Sequence, residues 1–210
     1  MLTFRSALCR SVTFAAMRLV LASRSPRRAD LLRAAGLFFD VFPVDVDERF
    51  GPDEKPEHAV ARLAETKATI AAASRPDAVV LGADTTVLIR GEALGKPASA
   101  DDAARMLRLL SGRTHDVLTG LCVCSGSRRL RHVEPTRVRL ARMSETEIAW
   151  YVSTGEPFDK AGAYAVQGLA SRFVEGIEGS YSNVVGLPIS RVYELLKELG
   201  CDTLGTKNSQ

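Results

Sequence analysis

A short apolar strand that runs directly into a helix constrains the fold of this chain more than any other stretch. Residues 18–23 (RLVLAS) form an apolar run that is typical of a buried strand. Ser25 then stands at an N-cap position, Pro26 fits the first turn of a helix, and Gly36 can end that helix. A buried strand followed at once by a helix is typical of an α/β fold.

Strands and helices alternate in the first half of the chain, and paired strands follow later. The predicted strands cover residues 38–44, 78–84, 115–126, 130–143 and about 172–177, and the predicted helices cover residues 56–73, 99–112, 144–152 and 188–199. A hairpin that turns at Gly91 follows the strand 78–84. We therefore predict a single α/β domain over residues 17–200, with a mixed sheet and helices on both faces.

The two ends of the chain differ from this domain. Residues 1–16 contain arginine, serine and threonine but no acidic residue, a composition that organellar transit peptides share. The alternative is an upstream start codon with the true start at Met17, and we favour it because Met17 leads directly into the first strand. We expect residues 1–16 to lie outside the fold and residues 201–210 to form a polar, frayed tail.

Charge and hydropathy argue against two classes of partner. The chain has 28 lysines and arginines and 25 aspartates and glutamates, and the net charge of +3 is too weak to indicate nucleic-acid binding. No apolar run approaches the roughly 20 residues that a membrane helix needs. We expect no nucleic-acid partner and no membrane attachment.

The cysteines indicate buried thiols rather than a metal site. They are Cys9, Cys122, Cys124 and Cys201. Cys122 and Cys124 stand two apart in an apolar run, so both would face the same side of a strand, and no partner pair stands at zinc-site spacing. Reduced thiols are typical of a reducing compartment, and we expect a cytoplasmic protein. His115 is expected to be structural.

Two adjacent arginines stand at the turn between the first strand and the first helix. The free N–H groups of a helix N-terminus attract phosphate. Arg27 and Arg28 oppose the helix dipole, and a sequence that accepts this conflict can use the arginines to bind an anion. The alternative is a solvated basic turn, and the pattern alone does not separate the two.

Asp84 follows an apolar run in Gly82-Ala83-Asp84-Thr85-Thr86 and is predicted to end the strand. Ligands of α/β proteins gather at the carboxyl ends of strands, where a carboxylate can hold Mg²⁺ or orient a water molecule. The alternative is a turn-forming aspartate. The pattern favours a functional role.

Three further signals are weaker. The acidic loop around residues 45–48 could supply a second metal ligand, although such a run alone favours a solvated loop. Lys67 on a helix signals nothing by itself, whereas Lys96 is fixed between a glycine and a proline. The glycine-bearing stretch 155–168 is either a lid or base-reading loop or an ordinary connection.

Eight stretches form an ordered set along the chain. They are LASRSPRR (21–28), VDVDE (44–48), RLAETKA (62–68), LGADTTV (81–87), GKP (95–97), LSGRTHDVLTG (110–120), GEPFDKAGAYAVQG (155–168) and GSYSNVVGLP (179–188). Together they resemble the Maf family of nucleotide pyrophosphatases over about residues 18–199. Eight matches in family order are specific, whereas any one of them alone is not.

This resemblance implies a fold similar to that of inosine-triphosphate pyrophosphatases, which is a curved mixed sheet flanked by helices, with a central cleft between two lobes. It implies hydrolysis of a nucleoside triphosphate to the monophosphate and pyrophosphate, with Mg²⁺ or Mn²⁺ as the cofactor. It also implies a homodimer that removes unwanted nucleotides from the pool.

The resemblance assigns roles by position. Asp84 matches the general base and a metal ligand, and Glu48 matches a second acidic residue of the metal site. The residues that match triphosphate-binding positions are Ser23, Arg28, Lys67 and Lys96. Cations placed in this way suit a reaction that develops charge on phosphate oxygens.

The resemblance also implies a substrate preference. One Maf branch prefers dTTP and UTP and carries arginine, threonine and glutamine at three positions, which match Arg27, Thr85 and Gln167. The other branch prefers 7-methyl-GTP and carries an aromatic residue, glutamine and glutamate. All three positions therefore imply the pyrimidine type, including modified pyrimidine triphosphates, and a glutamine amide can both donate to and accept from a pyrimidine edge.

One residue departs from the pattern, and one alternative function stays open. Arg24 stands where the family usually has a small residue. Because the family is also associated with septum formation, the alternative is a non-enzymatic nucleotide-binding regulator of cell division. The intact acid and lysine set argues against it, because binding alone needs no base beside a metal.

Overall fold

The computed structural model describes residues 18–201 of the chain. The predictions made for residues 1–16 and for most of the tail, residues 202–210, lie outside the described residues. Within them, no helix is both long and apolar enough to cross a bilayer.

The described chain contains seven strands and six α-helices. The strands are β1 (Leu19–Ala22), β2 (Phe39–Val41), β3 (Val79–Ile89), β4 (Glu92–Leu94), β5 (Thr114–Ser125), β6 (Arg128–Leu140) and β7 (Val174–Glu178). The helices are α1 (Pro26–Ala34), α2 (Pro56–Ser74), α3 (Ala100–Leu110), α4 (Glu145–Ser153), α5 (Tyr181–Val185) and α6 (Ile189–Glu198). Three short 3₁₀ turns lie at Glu156–Asp159, Ala161–Ala163 and Leu169–Phe173.

One mixed sheet organises the molecule, as predicted. The strand order is β2-β1-β3-β5-β6-β7, and β4 pairs with β3. Strands β2, β1 and β3 are parallel, whereas β3, β5, β6 and β7 are antiparallel neighbours. This arrangement follows from the connections, because helices join the early parallel strands and a tight turn joins β5 to β6.

Helix α2 lies directly against one face of the sheet. A Cβ atom on Gly82 would stand 2.2 Å from the Ala64 carbonyl oxygen, and one on Gly120 would stand 2.2 Å from the Val60 carbonyl oxygen. Only glycine permits such a close approach of helix and strand backbones. The two glycines therefore fix how near α2 comes to β3 and β5.

Three buried clusters form the core and divide it into two lobes. In the first lobe, one cluster packs β1, β3 and β5 against α1 and α6, and a second packs the opposite face against α2. In the second lobe, the third cluster joins the far halves of β3 and β5 to α3 and α4. Strand β3 contributes to all three clusters through Leu81, Val80 and Val87, so it links the lobes.

The pairing of β3 is interrupted on one edge, where the lobes meet. Strand β1 pairs with residues 79–82, and β4 pairs with residues 87–89. In the described chain, no strand pairs with residues 83–86 on that edge, while β5 pairs along the other edge through residue 88. We call this interruption the sheet gap.

Several boundaries differ from the prediction. Strand β3 continues through Asp84 to Ile89 instead of ending at Asp84, because β5 holds it extended. Strand β2 is shorter than predicted, and the short helix α5 lies between residues 177 and 188, where no element was predicted. Ser25 occupies the N-cap position of α1, but its side chain makes no capping bond.

Candidate active site

A cavity of about 420 Å³ opens at the sheet gap. All nine residues that the sequence predicted for the site line it, and they are Ser23, Arg27, Arg28, Glu48, Lys67, Asp84, Thr85, Lys96 and Gln167. They come from α1, α2, β3 and four connecting segments. The fold therefore brings together residues that are up to 144 positions apart in the sequence.

Two carboxylates and two lysines form one connected cluster in the cavity. The Lys67 Nζ atom lies 2.6 Å from Asp84 Oδ1 and 2.7 Å from Glu48 Oε1. The Lys96 Nζ atom lies 3.3 Å from Glu48 Oε2. The side chains of Lys67 and Asp84 are 6% and 10% exposed, so this pair is largely withdrawn from water. In such surroundings, each charge requires its partner.

The protonation of Glu48 follows from its neighbours. Partial burial acts to raise the pKa of its carboxyl group, but the hydrogen bond and charge of Lys67, together with the charge of Lys96, outweigh burial. The net pKa of Glu48 is below its ordinary value. Glu48 is therefore ionised at neutral pH and can serve as an anionic ligand.

The donor set fits a hard divalent cation that shares its shell with a substrate. Asp84 and Glu48 converge on the same ammonium group, so their oxygens lie near one another. Within the described residues, no group of three or more histidines, cysteines, aspartates and glutamates is placed to hold a metal. Mg²⁺ is commonly held by one or two carboxylates plus substrate phosphates and water, which this pair can provide.

Arg28 is buried and is engaged by protein acceptors. Its Nε atom donates to the Gly186 carbonyl oxygen at 2.8 Å, and Nη1 donates to the Ala83 carbonyl oxygen at 2.7 Å and to Ser23 Oγ at 3.3 Å. Its Nη2 atom donates to Thr85 Oγ1 at 2.9 Å. Burial lowers the pKa of Arg28, although nearby carboxylates oppose that shift. Arg28 thus connects a predicted phosphate-binding residue to a predicted specificity residue.

The three predicted specificity residues have different surroundings. Thr85 shares a hydroxyl–hydroxyl hydrogen bond of 2.9 Å with Thr119, and Gln167 is exposed at the cavity. Arg27 reaches across the cavity, where Nη1 donates to Asp159 Oδ2 at 2.7 Å and Nη2 donates to the Asp159 carbonyl oxygen at 3.1 Å. The glycine-bearing stretch is therefore one wall of the cavity.

Some lining residues had no distinct signal in the sequence. Asp159 and Lys160 lie within the predicted binding stretch, but nothing local predicts that they meet Arg27. Arg24, the departure from the family pattern, lines the cavity and pairs with Asp45 at 3.0 Å. Its side chain is 60% exposed, so it adds charge at the mouth without filling the cavity.

Comparisons with known proteins match most of the described chain. A family model described as "Maf-like protein" matches residues 18–199. A protein of Koribacter versatilis, named dTTP/UTP pyrophosphatase, is 52% identical over 184 residues, which are 88% of this chain and 95% of that protein. A protein of Syntrophus aciditrophicus with the same name is 49% identical over 185 residues, covering 87% of this chain and 90% of that protein. Among solved structures, the Staphylococcus aureus Ham1 protein matches with 14% identity and a TM-score of 0.48, covering 87% of this chain and 99% of that one.

Proposed function

The chain belongs to the Maf-like protein family, and we propose that it hydrolyses dTTP and UTP to the nucleoside monophosphate and pyrophosphate. The observation that carries this proposal is the cavity itself. It unites the Asp84–Lys67–Glu48 cluster with Arg27, Thr85 and Gln167. Relatives about half identical to the chain carry the name dTTP/UTP pyrophosphatase.

The charged cluster supplies the chemistry. Asp84 accepts a proton from a water molecule and aligns it for attack on the α-phosphorus, so that the bond to the bridging oxygen breaks and pyrophosphate leaves. Lys67 and Lys96 stabilise negative charge on the phosphate oxygens. Ser23 and Arg28 bind the triphosphate at the end of β1, and Arg28 uses the N–H group that its protein acceptors leave free.

Asp84 and Glu48 are the residues that would hold Mg²⁺ or Mn²⁺. Such a cation would neutralise phosphate charge during the reaction. Lys67 contacts both carboxylates, which keeps the buried charge of Asp84 paired.

The base end of the cavity selects the pyrimidine. Arg27 donates to carbonyl oxygens, while the Gln167 amide can donate and accept at the same edge. Modified pyrimidine triphosphates that keep this edge are a further substrate class. Removal of such nucleotides from the pool is the role that we infer.

We extend the proposal to a cytoplasmic homodimer. The Cys122 and Cys124 Sγ atoms are 3.8 Å apart without a bond, which suits a reducing compartment. The homodimer rests on the family resemblance alone. Analytical ultracentrifugation of the purified protein at micromolar concentration tests it, and a monomer under these conditions would contradict it.

A nucleotide panel tests the function. Purified protein is incubated with dTTP, UTP, CTP, ATP and GTP, with Mg²⁺, with Mn²⁺ or with a chelator, and released pyrophosphate is measured. We expect metal-dependent release that is fastest with dTTP and UTP. The matched variants are Asp84→Asn and Asp77→Asn, since Asp77 lies exposed two residues before the start of β3.

The two variants separate the mechanism from general damage. Asp84→Asn should lower kcat by at least ~100-fold, the range for loss of a general base, and Asp77→Asn should retain wild-type activity. Full activity in Asp84→Asn would refute the mechanism. A protein that binds dTTP in calorimetry but never cleaves it would instead support the regulatory alternative. The placement of Asp84 beside Lys67 argues against that alternative, because binding alone needs no general base.

A further inference from the structure

We propose that Asp159 is a positioning residue for substrate selection, which holds the Arg27 guanidinium in place at the base end of the cavity. This inference rests on the proposed function. Asp159 accepts hydrogen bonds from both terminal nitrogens of this guanidinium, at its side-chain oxygen (2.7 Å) and at its carbonyl oxygen (3.1 Å). A planar guanidinium held at two points has a fixed orientation, unlike one held at a single point.

The contact joins opposite walls of the cavity. Arg27 lies in the first turn of α1, whereas Asp159 ends the 3₁₀ turn Glu156–Asp159, 132 positions later. Both residues line the cavity, and the stretch that carries Asp159 continues to Gln167. The contact therefore sets Arg27 relative to the segment that bears a second specificity residue.

The contacts with Asp159 leave part of the Arg27 guanidinium free to bind a ligand. A guanidinium has five N–H groups, and the two contacts with Asp159 occupy two of them. The Arg27 side chain is 27% exposed at the cavity. Three N–H groups therefore remain for a nucleobase while Asp159 keeps its hold, which is what a positioning role requires and a blocking role does not.

Asp159 is itself anchored and charged. Lys160 forms an ion pair with its carboxylate and also donates to the Glu156 carbonyl oxygen at 2.7 Å. The Glu156 side chain in turn accepts from the Tyr151 hydroxyl at 2.8 Å and from the Leu169 N–H at 3.0 Å. Although partial burial acts to raise it, bonds from Lys160 and Arg27 lower the pKa of Asp159 to about 2, so the carboxylate is ionised at neutral pH.

Stability does not account for this pair. The Asp159 side chain is 61% exposed, and ion pairs at such positions contribute little to folding. Removing the carboxylate should therefore change selectivity while leaving the unfolding temperature nearly unchanged.

A double-mutant cycle tests the proposal. Kinetic constants for dTTP and GTP are measured for the wild type, Asp159→Ala, Arg27→Ala and the double variant, with Asp77→Asn as the control. Loss of an oriented charged contact predicts a rise in KM for dTTP of about tenfold in Asp159→Ala. The kcat value should stay close to wild type, because Asp84 and Lys67 are untouched, and the preference for dTTP over GTP should fall.

Non-additivity is the decisive readout. If Asp159 acts through Arg27, the double variant should be no worse than Arg27→Ala alone. The proposal would be overturned if the KM increases of the two single variants multiply in the double variant. An unchanged KM in Asp159→Ala, or an improved preference for dTTP, would also overturn it. So would a fall in the unfolding temperature as large as that of a core substitution, since it would indicate a structural role.

The outcome can be read separately from the proposed function. If the wild type releases no pyrophosphate from any nucleotide, the proposed function fails. The same four proteins are then compared by calorimetric titration with dTTP. A loss of affinity in Asp159→Ala, with a double variant that binds no more weakly than Arg27→Ala, would still support positioning. Independent losses, or unchanged affinity in Asp159→Ala, would still overturn it.

Discussion

His115 is an imidazole buried between β5 and the glycine-bearing wall of the cavity. Its Nε2 atom lies 2.8 Å from the Tyr164 hydroxyl, and the two rings meet edge to face. Its Nδ1 atom is buried without a hydrogen-bond partner. A proton on Nδ1 would be a buried donor without an acceptor, so the neutral tautomer with the proton on Nε2 is favoured.

Burial makes this histidine a source of pH-dependent stability. It lowers the pKa of His115 from 6.5 to about 4, so between these values the unfolded chain takes up a proton that the folded protein does not. The stabilisation is complete above pH 6.5 and is lost as the pH falls toward 4. Linkage predicts that, from pH 7 to pH 5, the wild type loses about 2 kcal/mol more than His115→Gln.

Urea unfolding of the two proteins at pH 7, 6 and 5 measures this difference. The carboxylates titrate in both proteins, so their contribution to the loss of stability cancels in the difference between the wild type and His115→Gln. Parallel losses in the two proteins would show that His115 does not titrate differently on unfolding.

The sequence predicted which residues lie together at the cavity, but it did not predict the hydrogen-bond partners of each one. The chain pattern with the family resemblance named nine of the residues that line the cavity. It could not separate the surroundings of Arg27 and Arg28, because their partners Asp159 and Gly186 lie 132 and 158 positions away. Contacts at such separations leave no local signal.

At the scale of elements, the close packing of α2 against the sheet is the feature most open to test. A methyl group on Gly120 would meet the Val60 carbonyl oxygen at 2.2 Å and the Ala61 nitrogen at 2.8 Å. These are backbone atoms of a helix, so they cannot relieve the clash by a rotamer change as a side chain would. The helix must shift as a unit, and it carries Lys67 with it.

We therefore expect Gly120→Ala to destabilise the protein by more than about 2 kcal/mol, at the upper end of overpacking effects. Gly176→Ala on β7 is the matched control, since its nearest neighbour would be an arginine nitrogen at 3.9 Å. Thermal unfolding of both variants provides the measurement. Similar midpoints for the two would contradict the close seating of α2.

Element types were predicted better than their ends. Ser144 and Glu147 form a capping box at the start of α4, where the sequence predicted that a helix begins. The end of β3 was misplaced, because Asp84 and two threonines resemble a turn. Pairing with β5 through Leu88 keeps the strand extended, and threonine suits a strand once its neighbour is present.

At the scale of the whole molecule, Arg28 ties together segments that are far apart in the chain. It joins α1 to the carbonyl oxygen of Ala83 at the sheet gap and to that of Gly186 after α5. Removing the guanidinium would take away the donors that lie 2.7 Å from the Ala83 carbonyl oxygen and 2.8 Å from the Gly186 carbonyl oxygen. Its loss should therefore loosen the walls of the cavity as well as the fold.

Arg28→Met should lower the free energy of unfolding by more than about 3 kcal/mol, as expected when a buried charged network is broken. Arg24→Met is the control in the same turn and should change it by less than about 0.5 kcal/mol, because Arg24 is exposed. Equilibrium unfolding in urea distinguishes them. Equal effects would show that the network around Arg28 contributes nothing particular.

The sheet gap has a consequence for how proteins of this kind diverge. The backbone at residues 83–86 is held in place by β5 on one edge and by the ends of β1 and β4 on the other. Its position depends on strand pairing and on the bond from Arg28 to the Ala83 carbonyl oxygen. Substitutions in the cavity walls can therefore change which nucleotide is bound, while the position of the binding site in the fold stays the same.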